Sequence, residues 1–245
     1  MFTSCPSSRN RSACFYQRTG EIPKGDIIII IQYVDFNAAD TIINTQYQNE
    51  WHEISATLTR MPLHIKASDQ AGIQGNAIFD PVGTNEYIKA AFIHDGWQSN
   101  IPIPGPYRFL GTDVDFAKTG IIIEIQFSNY PFLLNNTLRS ELFFKAKTEF
   151  VGYPTNLVII VTKALMFPAS NSTLYYEQAV NQLTALAKNQ VFDVPIRLVG
   201  LFEQQNTIVP IIWTEYLSKR YSRTVNTRVS RQCQIIAGVQ PVVVV

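Results

Sequence analysis

The chain has 245 residues, a hydrophobic content of 46% and a formal net charge of +1. That length fits one domain, or one domain with an embellishment, and the apolar fraction is enough for a sizeable core. The near-zero charge means that the molecule as a whole does not announce a nucleic-acid partner. Cys5, Cys14 and Cys233 sit at the two ends, with no metal-ligand spacing and in an odd number, which fits a reducing cytoplasm.

Residues 1–26 are rich in Ser, Arg, Cys and Gly without a period and read as a loose N-terminal extension, with no signal-peptide pattern. Ile27 to Val34 reads as a short strand, and its apolar run is too short for a membrane helix. From Ala38 to Arg60 the residues Ile43, Tyr47, Trp51, Ile54 and Leu58 recur at three and four, which predicts one amphipathic helix ended by Met61-Pro62. Thr84 reads as the N-cap of a second helix, with Ile88, Phe92 and Trp97 inward. Asn100 to Pro106 is expected to be loop, because Pro102, Pro104 and Pro106 oppose a helix interior or a central strand. A strand pair follows, Phe109 to Phe116 and Ile121 to Phe127, around a turn at Ala117 to Gly120. Further on come a helix from Thr137 to Phe150 with Leu138, Leu142 and Phe143 inward, and a strand at Leu157 to Val161. A helix from Thr173 to Asn189 and a strand at Val194 to Phe202 complete the series. Strands alternating with helices predict an α/β core of mixed strand direction.

Several chemistries find no support. The sequence holds no Gly-x-Ser-x-Gly elbow, no Walker loop and no Cys/His cluster, and His52, His64 and His94 are scattered. A basic block runs through Lys219, Arg220, Arg223, Arg228 and Arg231 with no acid from Tyr216 to Arg231. Such a block is either a solvated tail or a phosphate-binding segment.

Glu124 stands out. It lies in Ile-Ile-Ile-Glu-Ile-Gln-Phe, inside what must be a buried strand, where a carboxylate is costly unless it is paired or binds a metal. Gln126 lies two residues on and projects from the same face. Asp115 precedes Glu124 by nine residues across a turn-like segment, so a hairpin brings the two carboxylates together. Oxygen ligands of this kind suit magnesium, which retains waters and takes other ligands from substrate phosphate. The rival account is a buried salt bridge or hydrogen-bond network, although no Lys or Arg lies between Ile121 and Pro131 to serve as partner.

This pattern resembles the nuclease core written Pro-Asp…(Asp/Glu)-x-Lys, shared by many type II restriction endonucleases. The flanking residues narrow the likeness. Phe-Leu-Gly-Thr-Asp-Val-Asp-Phe (109–116) and Glu-Ile-Gln-Phe-Ser-Asn-Tyr-Pro-Phe-Leu-Leu-Asn-Asn (124–136) are similar to the BglII/BamHI-like branch of those nucleases. So are segments 61–70, 79–85, 166–172, 191–201 and 219–224, so that the likeness runs from about Tyr33 to Thr224. It implies a restriction-endonuclease-like α/β core, a central mixed sheet flanked by helices, with a smaller β-rich embellishment. On that basis residues 27–225 are expected to form the nuclease and DNA-recognition domain and 226–245 a divergent C-terminal segment.

The resemblance further implies Asp115, Glu124, Gln126 and Asn100 as catalytic residues. Asp115, Glu124 and the carbonyl of Ile125 would be the Mg²⁺ ligands. Gln126 replaces the family lysine; being neutral, it can orient a water but not deprotonate it, which leaves that task to the metal. DNA contacts are expected from Ser128, Asn129, Arg139, Asn171, Ser172, Lys219, Arg220, Tyr221, Ser222 and Arg223, with Arg139 serving a phosphate or a structural role. The implied substrate is the palindrome AGATCT, cut after the first A, and a palindrome calls for a homodimer. The helices Thr137–Phe150 and Thr173–Asn189 are the natural dimer elements. Tyr175, Tyr176, Val180 and Leu183 would face either a partner or the core. A restriction enzyme also implies a cytoplasmic location and a host DNA methyltransferase as functional partner. Three alternatives stand beside this reading: a DNA-binding module without cleavage, a phosphodiesterase for another nucleic acid, and a non-catalytic structural protein.

Overall fold

The computed structural model describes residues 29–165, 168–170, 173–218 and 224–235, and the backbone alone of 242–244. The first strand, β1 (Ile29–Phe36), leads into two helices, α1 (Ala39–Gln46) and α2 (Gln48–Arg60). The single helix expected here is broken at Tyr47, whose φ of −128° leaves the helical region. The apolar row survives the break, because Ile43, Tyr47, Ile54 and Leu58 are all buried. Strands β2 (Leu63–Ala67) and β3 (Ala77–Phe79) follow, then α3 (Pro81–His94). The N-cap of α3 is Asp80 and not Thr84: the Asp80 carboxylate accepts the N–H of Val82, and Pro81 takes the first helical position. Thr84 lies inside the helix and returns its hydroxyl to the Asp80 carbonyl.

The proline-rich segment expected as loop contains a strand, β4 (Gln98–Pro102), followed by a 3₁₀ turn at Gly105–Leu110. β4 is an edge strand, where a proline breaks no ladder bond on its open side. The central hairpin is β5 (Asp113–Lys118) and β6 (Ile121–Ile125), joined by Thr119 and Gly120, whose φ values of 51° and 93° make a two-residue turn. Gly120 also lets the chain approach Asn156 and Pro154 closely: a Cβ there would lie 2.9 Å from the Pro154 carbonyl. Next come α4 (Pro131–Lys145), the small pair β7 (Glu149–Phe150) and β8 (Tyr153–Pro154), β9 (Leu157–Lys163) and α5 (Tyr176–Lys188). α4 starts six residues before the expected Thr137 because Pro131 initiates it. Its buried face is Leu133, Asn136, Thr137, Ser140 and Phe143, which leaves Leu138 53% exposed instead of inward. The chain closes with β10 (Ile196–Glu203), β11 (Thr207–Tyr216), β12 (Val225–Ile235) and β13 (Val242–Val244).

The main sheet has six strands in the order β1-β10-β9-β6-β5-β4. β10, β9 and β6 are parallel, while β1, β5 and β4 run antiparallel to their neighbours, so the sheet is mixed as expected. Residues 157–161 and 121–124 are buried throughout, as central strands covered on both faces must be. Helices α1, α2 and α3 cover one face through Ile43, Ile54, Leu58, Ile88 and Phe92. Leu133 of α4 and Tyr176, Ala179 and Leu183 of α5 cover the other. Tyr176 and Leu183 are therefore core residues rather than partner-facing ones. A second sheet, β13-β12-β11-β2-β3, is the β-rich embellishment and joins the α1–α3 side of the core through Leu63, Ile65, Val209 and Ile211. Residues 225–235 are integral to it, since β12 pairs with β11 from Thr207 to Tyr216. No helix among the described residues is long and apolar enough to cross a membrane.

Asp80 ties the two parts together. Besides capping α3 it accepts the Tyr216 hydroxyl at 2.7 Å, at the end of β11. Replacing Asp80 by Ala removes the cap and strands a half-buried phenol, and urea unfolding should show a loss of about 2 kcal/mol. Tyr216→Phe, which keeps the cap, should lose about 1 kcal/mol or less.

Candidate active site

The site forms where β5 and β6 part. Their ladder ends at the pair Phe116↔Ile123, one residue short of setting Asp115 opposite Glu124. The Asp115 carboxylate then takes the place of the departing backbone and accepts the Ile125 N–H at 2.7 Å. On the other side of β6 the Gln126 N–H donates to the Val161 carbonyl of β9. A planar trans peptide points its C=O opposite to its N–H, so the Ile125 carbonyl is directed away from β9, toward Asp115. Two carboxylates and one backbone carbonyl thus converge at the fork of the hairpin.

Glu124 is 2% exposed. Burial pushes its carboxyl up from the usual 4.5 to about 8, with Arg139 pulling it down and the Asp115 charge pushing it further up. Asp115 is raised by burial too, against the pull of the Ile125 N–H and of Arg139. The partner that the strand lacks comes from α4: Arg139 donates from Nη2 to Glu124 Oε1 at 2.6 Å. The salt-bridge account of Glu124 is therefore realised in part, by a residue outside the run Ile121 to Pro131. Arg139 is 9% exposed, and its Nη2 is engaged by Glu124, which gives it a structural role here. Asp115 Oδ1 and Glu124 Oε2 accept no hydrogen bond from the described residues.

These oxygens fit a hard divalent cation. Two crowded carboxylates, each raised by burial and Glu124 further by the charge of Asp115, are stabilised by positive charge placed between them. No third acidic, His or Cys side chain completes a cage among the described residues. Magnesium asks for none, since it is commonly held by one or two carboxylates plus waters and phosphate.

Gln126 is 4% exposed and its amide is engaged by protein. Nε2 donates to Ser128 Oγ at 3.0 Å and to the Asn129 carbonyl at 3.4 Å, and Oε1 accepts from Asn136 Nδ2 at 2.9 Å. Asn100 lies on β4 with φ 53°, between the pairs Ser99↔Phe116 and Ile101↔Val114, which places it next to Asp115. Its side chain is exposed and accepts from Lys89. Ser128 and Asn129 are exposed at the exit of the catalytic strand. Asn129 bridges to Thr173, and Leu174 N–H donates to the Ser128 carbonyl, so this exit is tied to the chain that follows Ser172. Asn171, Ser172, Lys219, Arg220, Tyr221, Ser222 and Arg223 lie outside the described residues. The last five fall in the connection from β11 to β12, whose base is closed by Leu217 N–H on the Thr224 carbonyl.

Two residues were missed. Asp113 adds its charge to the field at both Asp115 and Glu124. Asn136 holds Gln126. The available signal was on α4, where Asn136, Thr137 and Ser140 recur at helical spacing on a face that should otherwise be apolar.

A mixed sheet whose central hairpin forks around two carboxylates, with helices on both faces, is the architecture of the restriction-endonuclease-like α/β fold. Comparison with known proteins narrows the class. The family model described as "Restriction endonuclease BglII/BglIII" matches residues 31–201. The chain is 57% identical to the type II restriction enzyme BglII of Bacillus subtilis over 198 residues, 81% of this chain and 87% of that one. The crystal structure of restriction endonuclease BglII complexed with a DNA 16-mer superposes with a TM-score of 0.84 at 51% identity, covering 87% of this chain and 99% of the other. Free BglII gives a TM-score of 0.70 at 50% identity with the same coverage. The chain belongs to the BglII/BglIII family of type II restriction endonucleases.

The raised carboxyl has a measurable consequence. Above pH 4.5 the unfolded chain gives up a proton that folded, metal-free Glu124 keeps until about pH 8, so raising the pH across that window favours unfolding. In chelator, the thermal stability of Glu124→Gln should gain on that of the unmodified protein from pH 4.5 to about 8 and hold a constant lead above. A gap independent of pH would show that Glu124 ionises normally.

Proposed function

We propose that this chain is a magnesium-dependent endonuclease that cuts both strands of a palindromic duplex, AGATCT, after the first A. The products would carry four-base 5′ overhangs with 5′-phosphates. The observation that carries this reading is the convergence of Asp115, Glu124 and the Ile125 carbonyl at the β5–β6 fork, in a chain of this family. A bound magnesium ion supplies electrophilic stabilisation of the phosphate and makes a water acidic enough to attack at neutral pH. Asp115 and Glu124 would hold the ion, with the Ile125 carbonyl beside them. Asn100, on the neighbouring strand, supplies a polar side chain at the mouth of the site. Gln126 cannot take a proton near pH 7; with both Nε2 protons engaged, it keeps one lone pair on Oε1 to orient the attacking water.

Recognition would rest on Ser128 and Asn129 beside the cut, on Asn171 and Ser172, and on the basic connection Lys219 to Arg223. Asn and Arg make bidentate contacts to adenine and guanine edges. The two-fold substrate calls for two copies of the chain. Tyr130, the N-cap of α4, and Leu134 and Leu138 on its outer face recur every four residues and are 52%, 42% and 53% exposed, an apolar row left uncovered among the described residues. We assign it to the homodimer contact. A cytoplasmic location and a host methyltransferase that protects the same palindrome follow from the same reading.

Run-off sequencing of a plasmid digested with magnesium tests activity, site and stagger together; absence of cutting would overturn the reading. Asp115→Ala and Glu124→Ala should each slow cleavage about a thousandfold, some 4 kcal/mol of barrier. Leu134→Asp with Leu138→Asp should yield monomers in sedimentation and abolish double-strand cutting while leaving the far-UV circular dichroism unchanged.

A further inference from the structure

Helix α4 turns two polar side chains toward the catalytic strand, one helical step apart. Arg139 meets Glu124, and Asn136 meets Gln126. Asn136 is 7% exposed and Gln126 4%, so their contact is a buried polar pair in which each group has few alternative partners. The Asn129 carbonyl can only accept, so it requires Gln126 to present Nε2 on that side, and Asn136 then donates to the remaining Oε1. That fixes which way round the Gln126 amide sits, with Nε2 toward Ser128 Oγ and the Asn129 carbonyl. Turned over, Gln126 would set Oε1 against the Asn129 carbonyl, and Asn136 would have to turn over with it to keep a donor facing an acceptor.

We propose that Asn136 is a positioning residue for the cleavage reaction. By anchoring Oε1 of the Gln126 amide, it holds the exposed residues Ser128 and Asn129 in register with Glu124. The hydrogen-bonded path runs from the α4 interior through Gln126 to the strand exit. There it meets Thr173 and Leu174 through the Asn129 bridge and the Ser128 carbonyl. Asn136 acts through its contact with Gln126. The inference rests on the endonuclease reading for its kinetic effect and on the geometry for its structural one.

The test uses full-length protein and three variants: Asn136→Leu, which removes the donor at similar volume, Asn136→Asp, which replaces it by an acceptor, and Asn136→Ser as a smaller donor should the others fail to fold. Asn136→Leu and Asn136→Asp should lower kcat at saturating DNA and magnesium by about ten- to a hundredfold, the scale of a sub-ångström to ångström misplacement, with KM for DNA held within about threefold. In a Gln126→Ala background, Asn136→Leu should cost nothing further. Independently of cleavage, hydrogen exchange of the Gln126 side-chain amide protons, read by NMR, should be slow in the parent protein and accelerated in Asn136→Leu and Asn136→Asp. An unchanged exchange rate, or losses from Asn136→Leu and Gln126→Ala that simply add, would overturn the proposal. Failure of the parent protein to cut any duplex would instead remove the endonuclease reading, with the exchange measurement still deciding the role of Asn136.

Discussion

A carboxylate on the innermost strand of a two-sided sheet is unstable as an anion unless positive charge is brought to it. Glu124 imposes that constraint, and the arrangement around it answers to it. Its own strand has no cation to offer, so α4 docks with Arg139 against it. The hairpin partner adds a second acid, Asp115, whose carboxylate holds the Ile125 N–H just where the β-ladder has opened. The guanidinium satisfies one Glu124 oxygen and leaves another oxygen on each acid for a cation. Arg139 thus keeps the paired acids tolerable without closing the fork.

The same helix has two unlike faces, and this explains its composition. Its inner face is polar where it meets the site and apolar where it meets the core, as Asn136, Arg139 and Ser140 stand beside Leu133 and Phe143. Its outer face carries the row Tyr130, Leu134 and Leu138. If the outer face meets a second subunit as proposed, the helix couples that contact mechanically to β6. Any shift of α4 at the proposed dimer contact is felt at Glu124 and Gln126 with no intervening layer.

Much of this was legible in the amino-acid order. A run of isoleucines interrupted by Glu124, with Asp115 nine residues earlier, has few folded solutions other than a buried hairpin with paired acids. What could not be read was anything set by tertiary partners. Arg139 was not visible as the partner of Glu124, because fifteen residues and a turn separate them. The inward side of α4 was misjudged through Leu138, since a helix with an apolar row on each face gives a weak period. The strand β4 was hidden by its prolines, which are excluded from sheet interiors but not from an open edge. The N-cap of α3 was placed at Thr84 because both Asp80 and Thr84 are good capping types, and only Pro81 distinguishes them.

The second sheet shows how a remote element is held to this centre. The connection that carries the basic block springs from β11 and returns as β12, and both strands are fastened to α3. Tyr216 bonds to Asp80, and Arg228 to Glu86 at 2.8 Å. α3 also touches β4, the strand of Asn100, through Lys89. One helix therefore holds β11, β12 and the edge strand β4 together. An arm of this length held only by its own ladder would sample a range of twists. Fastening both of its strands to the helix that also meets β4 removes most of that freedom before any substrate is met.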